Sequence, residues 1–348
     1  MNILDNFIYF ERLLTGRVLR KNIPLTISLS VTGNCNFRCS YCYGDFGSAK
    51  KKHDLPTDAW LSMIDEAAKM GTKSIQLLGG EPLLRDDIEE IIEKITSKRI
   101  ICSMNSNGSL IRKRIYAVKK LDYITVSIDG FGEVNDRTRG KGTYEIIWKG
   151  ISALAEERIP YSLVCVITKN NINEVEAILK EAARLGTSIE FNLLYEQHNS
   201  GKESTFQLTS EEIKEVLSLL NGYKDRGFPL SLSNRTREYA LNWPISYDQK
   251  ILYNLPDGFA HIPCYMGNYM CHIEHDGSVY PCAQLIGHFQ ALNFLKAGFR
   301  RAWENAGEMR QCKTCYSLCH NEINLLHGLD YKVIYNSMRR KLKQITAR

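Results

Sequence analysis

Three cysteines fall on one short stretch, Cys35-Asn-Phe-Arg-Cys39-Ser-Tyr-Cys42. Thiolates spaced four and three residues apart can wrap one corner of an iron–sulfur cube from a single loop. A four-iron cube with three protein ligands keeps one iron open to a chelating substrate. A zinc site wants a fourth protein ligand close by, and His53 is the nearby residue of that kind. Six further cysteines, Cys264, Cys271, Cys282, Cys312, Cys315 and Cys319, crowd the last third of the chain. The remaining two, Cys102 and Cys165, sit in apolar runs and read as buried core thiols.

The elements that must position these thiols repeat in a regular order. Apolar, β-branched strands are expected at 26–31, 74–78, 101–105, 123–129, 161–168 and 189–194. Helical periodicity follows each of them, at 58–70, 85–97, 110–120, 144–158, 173–185 and 211–223. Thr209 with Glu212 makes a capping box at the last of these helices. Gly71 and Gly186 mark two helix ends. Regular alternation implies a parallel sheet with right-handed crossovers. Six units suggest an open, partial (β/α)6 TIM barrel, with its site at the carboxyl ends of the strands. A small cysteine-rich β-hairpin and helical unit should follow. The expected divisions are an amphipathic helix over 1–24, the barrel over 25–233, a linker over 234–263, the cysteine-rich domain over 264–330 and a basic helix over 331–348.

On these residues the chain resembles the radical S-adenosylmethionine (SAM) superfamily. The CxxxCxxC loop follows the first strand, with the aromatic Tyr41 before the third cysteine. Gly79-Gly80-Glu81-Pro82 ends the second strand and is similar to the family's GGEP turn, which holds the methionine ammonium of SAM. Glycine permits close backbone approach and a carboxylate suits an amine. Ser127-Ile128-Asp129-Gly130 resembles the segment that reaches SAM's carboxylate and ribose. Asn135-Asp136-Arg137-Thr138-Arg139-Gly140 resembles an HDxxRG signature with Asn in place of His. Arg139 then matches the arginine that clamps the methionine carboxylate, with Arg137 as the alternative register. Ser103, Asn105 and Asn107 point to the same rim, and Tyr43 is a candidate for the adenine wall. The resemblance implies a [4Fe–4S] cluster on Cys35, Cys39 and Cys42 that cleaves SAM reductively. A 5′-deoxyadenosyl radical then abstracts a substrate hydrogen, with the electron coming from a flavodoxin or ferredoxin.

The later cysteines resemble the SPASM/Twitch extension of that family. The pattern runs Cys264-x12-Gly277-x4-Cys282, then Cys312-x2-Cys315. Asp276-Gly277 is a hairpin turn signal between 272–275 and 278–281, which supports the hairpin independently. Three assignments stand. One auxiliary [4Fe–4S] cluster uses Cys264, Cys282, Cys312 and Cys315, or else Cys264, Cys271, Cys282 and Cys319. Alternatively, two clusters each have an open or histidine position, from His272 or His320. A surplus thiol, Cys271 or Cys319, is a candidate hydrogen-atom donor.

The substrate is expected to be a peptide or protein, modified by oxidation, crosslinking or epimerisation. The alternative is a small molecule such as a sugar, aminocyclitol or lipid. Cys282-Ala283 lacks the acid that follows this cysteine in sulfatase-maturing relatives. Glu190, Asn192, Tyr195 and Glu196 are candidates for the open side of the barrel. Net charge is +6. The tail supplies Lys332, Arg339, Arg340, Lys341, Lys343 and Arg348 without an acid, which leaves room for peripheral membrane contact. No nucleic acid is expected. The absence of a signal-like or membrane-length apolar run places the protein in the cytoplasm. Two non-enzyme readings, an electron-transfer protein and a zinc-stabilised binding module, leave Glu81 and Arg139 or the six-unit scaffold unexplained.

Overall fold

The computed structural model describes residues 3–44, 53–194 and 206–336. Tyr195, Glu196 and the tail beyond 336 lie outside them. Helix α1 (Ile3–Val18) precedes the first strand, β1 (Thr26–Thr32). The chain then alternates: α2 (Thr57–Met70), β2 (Ser74–Gly79), α3 (Ile88–Ser97), β3 (Ile101–Ser106), α4 (Ile115–Lys119) and β4 (Tyr123–Ser127). Helices α5 (Glu133–Arg139) and α6 (Thr143–Glu156) lead to β5 (Tyr161–Ile167), α7 (Val175–Arg184), β6 (Ser188–Leu193) and α8 (Ser210–Asp225). All neighbouring pairs from β1 to β6 are parallel. This is the expected partial barrel. The capping box at Thr209 forms, and Gly71 and Gly186 both take left-handed backbone angles.

The stretch 234–263 is more ordered than a linker. It carries α9 (Asn234–Leu241) and β7 (Ile251–Leu252). The hairpin follows as β8 (Met270–Ile273) and β9 (Val279–Tyr280), then α10 (Phe294–Ala297), α11 (Phe299–Met309), β10 (Thr314–Cys315) and α12 (Leu318–His327). β7 pairs antiparallel with β10, setting Cys315 opposite Ile251.

The hairpin also does not stand apart from the barrel. β8 lies parallel beside β1, so the sheet runs β6-β5-β4-β3-β2-β1-β8-β9. An unpaired β1 edge would leave backbone donors and acceptors open to any passing strand. The hairpin fills that position. Its strand is buried throughout, and Cys271 and Ile273 extend the apolar face begun by Ile27 and Leu29.

The two faces of the sheet differ. Outward residues join one apolar cluster with the helices: Ile27, Leu29, Ile75, Leu77, Cys102, Met104, Ile124, Val126, Cys165 and Phe191 meet Trp60, Ile64, Ile91, Ile151 and Leu179. Each such side chain contributes about 1.5–3 kcal/mol by burial. The inward positions of the same strands include Ser28, Ser30, Gln76, Ser103, Asn105, Thr125, Ser127, Ser162, Glu190, Asn192 and His272, with Leu78, Val164 and Val166 among them, related by strand register. Parallel strands covered on both faces are usually apolar throughout. A mostly polar inner face marks a chamber rather than a packed core.

Candidate active site at the mouth of the barrel

Cys35, Cys39 and Cys42 occupy the loop directly after β1, and all three are half-buried. Burial pushes the Cys35 thiol up to about 11 and the Cys39 thiol up to about 12, with the neighbouring thiols adding to both. The Cys35 sulfur accepts from the Phe37 amide at 3.4 Å and from the Asn107 side-chain amide at 3.7 Å. Such donors suit a thiolate ligand. Three adjacent sulfurs on one loop, with N–H groups aimed at one of them, fit a three-cysteine iron–sulfur cluster.

The Gly79-Gly80-Glu81 turn packs on the start of this loop. Gly80 N donates to Thr32 O and Glu81 N to Asn34 O, both at 2.9 Å. A Cβ on Gly80 would come within 2.0 Å of Asn34 O, and one on Gly79 within 2.4 Å of Thr32 O. The glycines are therefore required by the protein's own loop, beyond any approach of a ligand. The Glu81 carboxylate is fully buried. It accepts from Ser106 Oγ at 2.9 Å, Leu83 N at 3.2 Å and Asn107 N at 2.7 Å. Burial raises it to about 7, against the pull of those donors. Here Glu81 ties the ends of β2 and β3 together rather than pointing into open space.

Arg139 and Arg137 part company in the structure. The Arg139 side chain is buried, with Nε 2.8 Å from Asp129 Oδ2 and Nη2 donating to Tyr41 Oη at 2.9 Å. Tyr41 in turn donates to Asp129 Oδ2 at 2.5 Å. Burial opposes the guanidinium's charge, but the Asp129 carboxylate outweighs it and holds the charge firmly. Arg139 also interacts electrostatically with Cys39, while Arg137 is exposed. Nη2 is hydrogen-bonded to Tyr41, while Nε is ion-paired with Asp129 without a hydrogen bond, so donors remain for a carboxylate. Asn135, standing where the signature has His, is wholly buried and structural. Its Oδ1 accepts from Asp129 N and its Nδ2 donates to Thr143 Oγ1, both at 3.1 Å.

Ser103, Asn105 and Ser127 lie on the inner face, and Asn105 Oδ1 accepts from Gln76 Nε2 at 3.0 Å. Pro82 opens the short 3-10 turn after the glycines. Tyr43 interacts electrostatically with Glu274 and Cys42.

The second cysteine group is assembled from distant segments. Cys264, Cys282, Cys312 and Cys315 share one apolar cluster with Ile251, Met266, Met270 and Leu285. Pairing between Cys264 and Cys312 lowers Cys264 and raises Cys312, and the nearby Arg310 guanidinium lowers Cys264 further. Cys315 interacts with Cys264 and Cys282. Among the described residues no three His, Cys, Asp or Glu close tightly enough to hold a single metal ion. Four gathered thiols with a cationic neighbour fit an iron–sulfur cluster bound entirely by cysteine. Cys271 stands apart. It pairs with Ile27, so the two-residue period of the strand sends it to the outer apolar core. The ligand set that needs Cys271 does not assemble, and neither does its use as a hydrogen donor in the chamber. Cys319 begins α12, with its sulfur 3.6 Å from Ser317 Oγ and 3.5 Å from His320 Nδ1. It interacts with both Cys315 and Glu190.

Sequence reasoning gave no chamber role to several inner-face groups. Ser28 Oγ and His272 Nδ1 are 3.0 Å apart, and His272 Nε2 lies 2.8 Å from Glu274 Oε1. His275 Nδ1 holds the other Glu274 oxygen at 3.0 Å. Burial opposes the charge on Glu274, but these two histidines hold it well below the usual carboxylate range. His320 is buried and driven down to about 4 by burial and by His272. The available signal was the alternation of serine with aliphatic residues in Thr-Ile-Ser-Leu-Ser-Val-Thr, unusual for a strand covered on both faces.

Residues 29–182 match the Radical SAM superfamily model. This stretch, somewhat under half of the chain, is similar to the radical SAM superfamily, and the fold of the whole is similar to that of the solved structures described below. SuiB and anSMEcpe are solved with bound SAM, and the second cysteine group of this chain has a composition that fits an auxiliary cluster. It is 30% identical to the Fe-coproporphyrin III synthase of Methanosarcina barkeri over 58% of this chain and 52% of that protein. It is 26% identical to an AdoMet-dependent heme synthase of the same organism, over 84% and 85%. Identity to the mycofactocin maturase MftC of Mycobacterium tuberculosis is 25%, over 83% and 73%. Among solved structures, Streptococcus suis SuiB bound to S-adenosylmethionine superposes with a TM-score of 0.66 at 16% identity, covering 86% of this chain and 71% of SuiB. Native anSMEcpe with bound AdoMet and a peptide gives 0.61 at 16%, over 89% and 98%. No described helix is long and apolar enough to cross a membrane.

Proposed function

We propose that this radical SAM enzyme removes a hydrogen atom from a peptide substrate held against the inner face of the barrel. When bound, the cluster and SAM supply one-electron reductive cleavage and hydrogen-atom abstraction. Cys35, Cys39 and Cys42 would hold the cluster, and the remaining donors of Arg139 the methionine carboxylate. Tyr41 and Asp129 orient that guanidinium. Ser103, Asn105 and Ser127 line the approach, while the Gly79–Pro82 turn sets the rim. Cys264, Cys282, Cys312 and Cys315 would hold the auxiliary cluster, and a flavodoxin or ferredoxin would deliver the electron.

The observation that carries the substrate reading is the chemistry of the inner strands. Gln76, Asn105 and Asn192 offer amides, while Ser28, Ser103, Thr125 and Ser162 offer hydroxyls. Each of these side chains can both donate and accept, as a peptide bond requires. No lysine or arginine lies on the seven strands from β6 to β8, so a substrate rich in carboxylates would meet few cations there. Likeness to SuiB, solved with its precursor peptide SuiA, supports the same reading.

The heme and Fe-coproporphyrin relatives supply the competing substrate. The test is anaerobic reconstitution with dithionite and SAM, measuring 5′-deoxyadenosine with two probes. These are synthetic peptides from short reading frames beside the gene, and Fe-coproporphyrin III. A peptide that raises 5′-deoxyadenosine and changes mass is the expected result. Conversion of Fe-coproporphyrin III with no peptide active would overturn it.

A further inference from the structure

The loop that carries all three cluster cysteines leaves the sheet at Thr32 and returns at Asp54. Its base is closed by one carboxylate. Thr32 Oγ1 donates to both Asp54 oxygens, at 2.8 and 2.9 Å. Gly33 N donates to Asp54 Oδ1 at 3.2 Å and Asn34 Nδ2 to the same oxygen at 3.1 Å. The three residues directly before Cys35 are thus held by a single side chain. Arg85 completes the closure, with Nη1 3.8 Å from Asp54 Oδ2. The same guanidinium donates to Val31 O at 3.0 Å, before the excursion, and to Leu55 O at 3.1 Å, after it. Asp87 holds its other side at 2.6 and 2.8 Å.

This closure lies beside the Gly79–Glu81 turn. Arg85 follows the turn closely in sequence, and the turn's amides grip the carbonyls of Thr32 and Asn34. Residues 32–34 are therefore clamped twice, by Asp54 through side chains and the Gly33 amide, and by the Gly80–Glu81 amides through their carbonyls. Without the first clamp the second alone would have to fix a long loop, whose free ends carry a substantial closure entropy.

We propose that Asp54, braced by Arg85, is a positioning residue for the radical cluster. It fixes the register between the cysteine loop and the Gly79–Glu81 turn, and hence how well SAM spans the two. The proposal rests on the family's SAM chemistry and not on the peptide reading. Charge-assisted hydrogen bonds are the strong ones, so one neutralised carboxylate should be felt at several donors together.

The experiment compares the wild-type holoenzyme with Asp54→Asn, Asp54→Ala and Thr32→Val. Three readouts are taken: KM for SAM and kcat in dithionite-driven 5′-deoxyadenosine formation, the SAM-induced change in the reduced-cluster EPR spectrum, and amide hydrogen exchange of the cluster-free chain over residues 30–44. The expected result is a KM for SAM raised at least fivefold in Asp54→Asn with kcat within twofold. An altered EPR response should accompany it, with at least tenfold faster exchange at Gly33 and Asn34. Thr32→Val, which removes the hydroxyl's share of the clamp and also the acceptor of the Asn34 amide, should fall between in KM for SAM and in exchange at Gly33. Wild-type values in Asp54→Ala would overturn the proposal. So would a parallel fall in kcat, iron content and Tm with no selective effect on SAM. A wild type that shows no SAM-dependent EPR change would instead count against the family chemistry, and the exchange measurement would still judge Asp54.

Discussion

The two cysteine groups reach similar composition by opposite routes. Cys35, Cys39 and Cys42 come from one loop, between polar groups that include Asn107, Arg139 and Asp129. Cys264, Cys282, Cys312 and Cys315 come from separate stretches of the chain and meet among Met266, Met270 and Leu285. The first group is local in sequence, so its spacing alone states what it can bind. The second depends on β7 pairing with β10 and on the hairpin docking against β1. The difference points to separate duties. A polar, half-buried site with a spare ligand position can meet SAM and substrate, whereas an apolar site with four thiols is closed around its own cluster.

The largest effect that would test this contrast is substitution of the loop cysteines. Cys35→Ala, Cys39→Ala and Cys42→Ala together should abolish 5′-deoxyadenosine and lower iron from about eight to about four per chain, as expected for two four-iron clusters. Iron and sulfide counting checks it, and loss of all iron would erase the distinction between the two groups. Next in size, Cys282→Ala or Cys315→Ala should remove the auxiliary iron while SAM cleavage without substrate persists. Cys271→Ala should keep full iron and cost only about 1 kcal/mol of stability, as a small core truncation does. An iron loss in Cys271→Ala would return that thiol to the ligand set.

Arg139→Ala should raise KM for SAM by about tenfold or more, because it also strands the buried Asp129. Exposed Arg137→Ala should stay within twofold. Comparable effects from the two would mean the register in this segment is misread.

A separate effect concerns pH and the far end of the barrel. His327 is buried, 2.9 Å from Tyr9 Oη, and burial drives it down to about 3. A histidine whose folded value is depressed contributes stability that is full above its unfolded value near 6.5 and is lost as pH falls toward 3. Between pH 7 and pH 5 the cost is about 2 kcal/mol at 1.36 kcal/mol per unit below 6.5. Thermal unfolding of wild type and His327→Phe across that range should show the slope reduced in the variant. Glu81 has the opposite sign. Its value is raised to about 7, so its contribution is full below about 4.3 and fades as pH rises through 7. An unchanged slope in His327→Phe would assign the acid sensitivity elsewhere, His320 being the next candidate.

Much of the barrel was legible because strand and helix periods are local. All six expected strands are found within two residues of their bounds, and the capping box at Thr209 forms as its residues require. Helix ends were less legible. Helix α4 shrinks to Ile115–Lys119, and α3 begins at Ile88 after Arg85 and Asp87 are drawn into the loop closure. At the site, the motif residues gather where spacing suggests, and several also make contacts within the protein. Glu81 and the two glycines serve the protein's own backbone, and Asn135 is an internal brace. Motif reading names residues that share one chemistry, yet it does not say which hydrogen-bond partners the chain itself will claim.

The order of residues determined the cysteine loop, the alternation of strands and helices and the hairpin turn at Asp276-Gly277, because each arises from interactions a few residues apart. Folding in three dimensions decided which face each strand turns inward, that β8 closes the β1 edge, and that Cys271 leaves the other cysteines. It also decided that Arg139 rather than Arg137 meets Asp129. The strand outcomes follow from pairing register, where a shift of one residue exchanges the two faces of a strand, and the choice of arginine follows from the face that α5 turns toward Asp129. Register is set by partners far away in the chain.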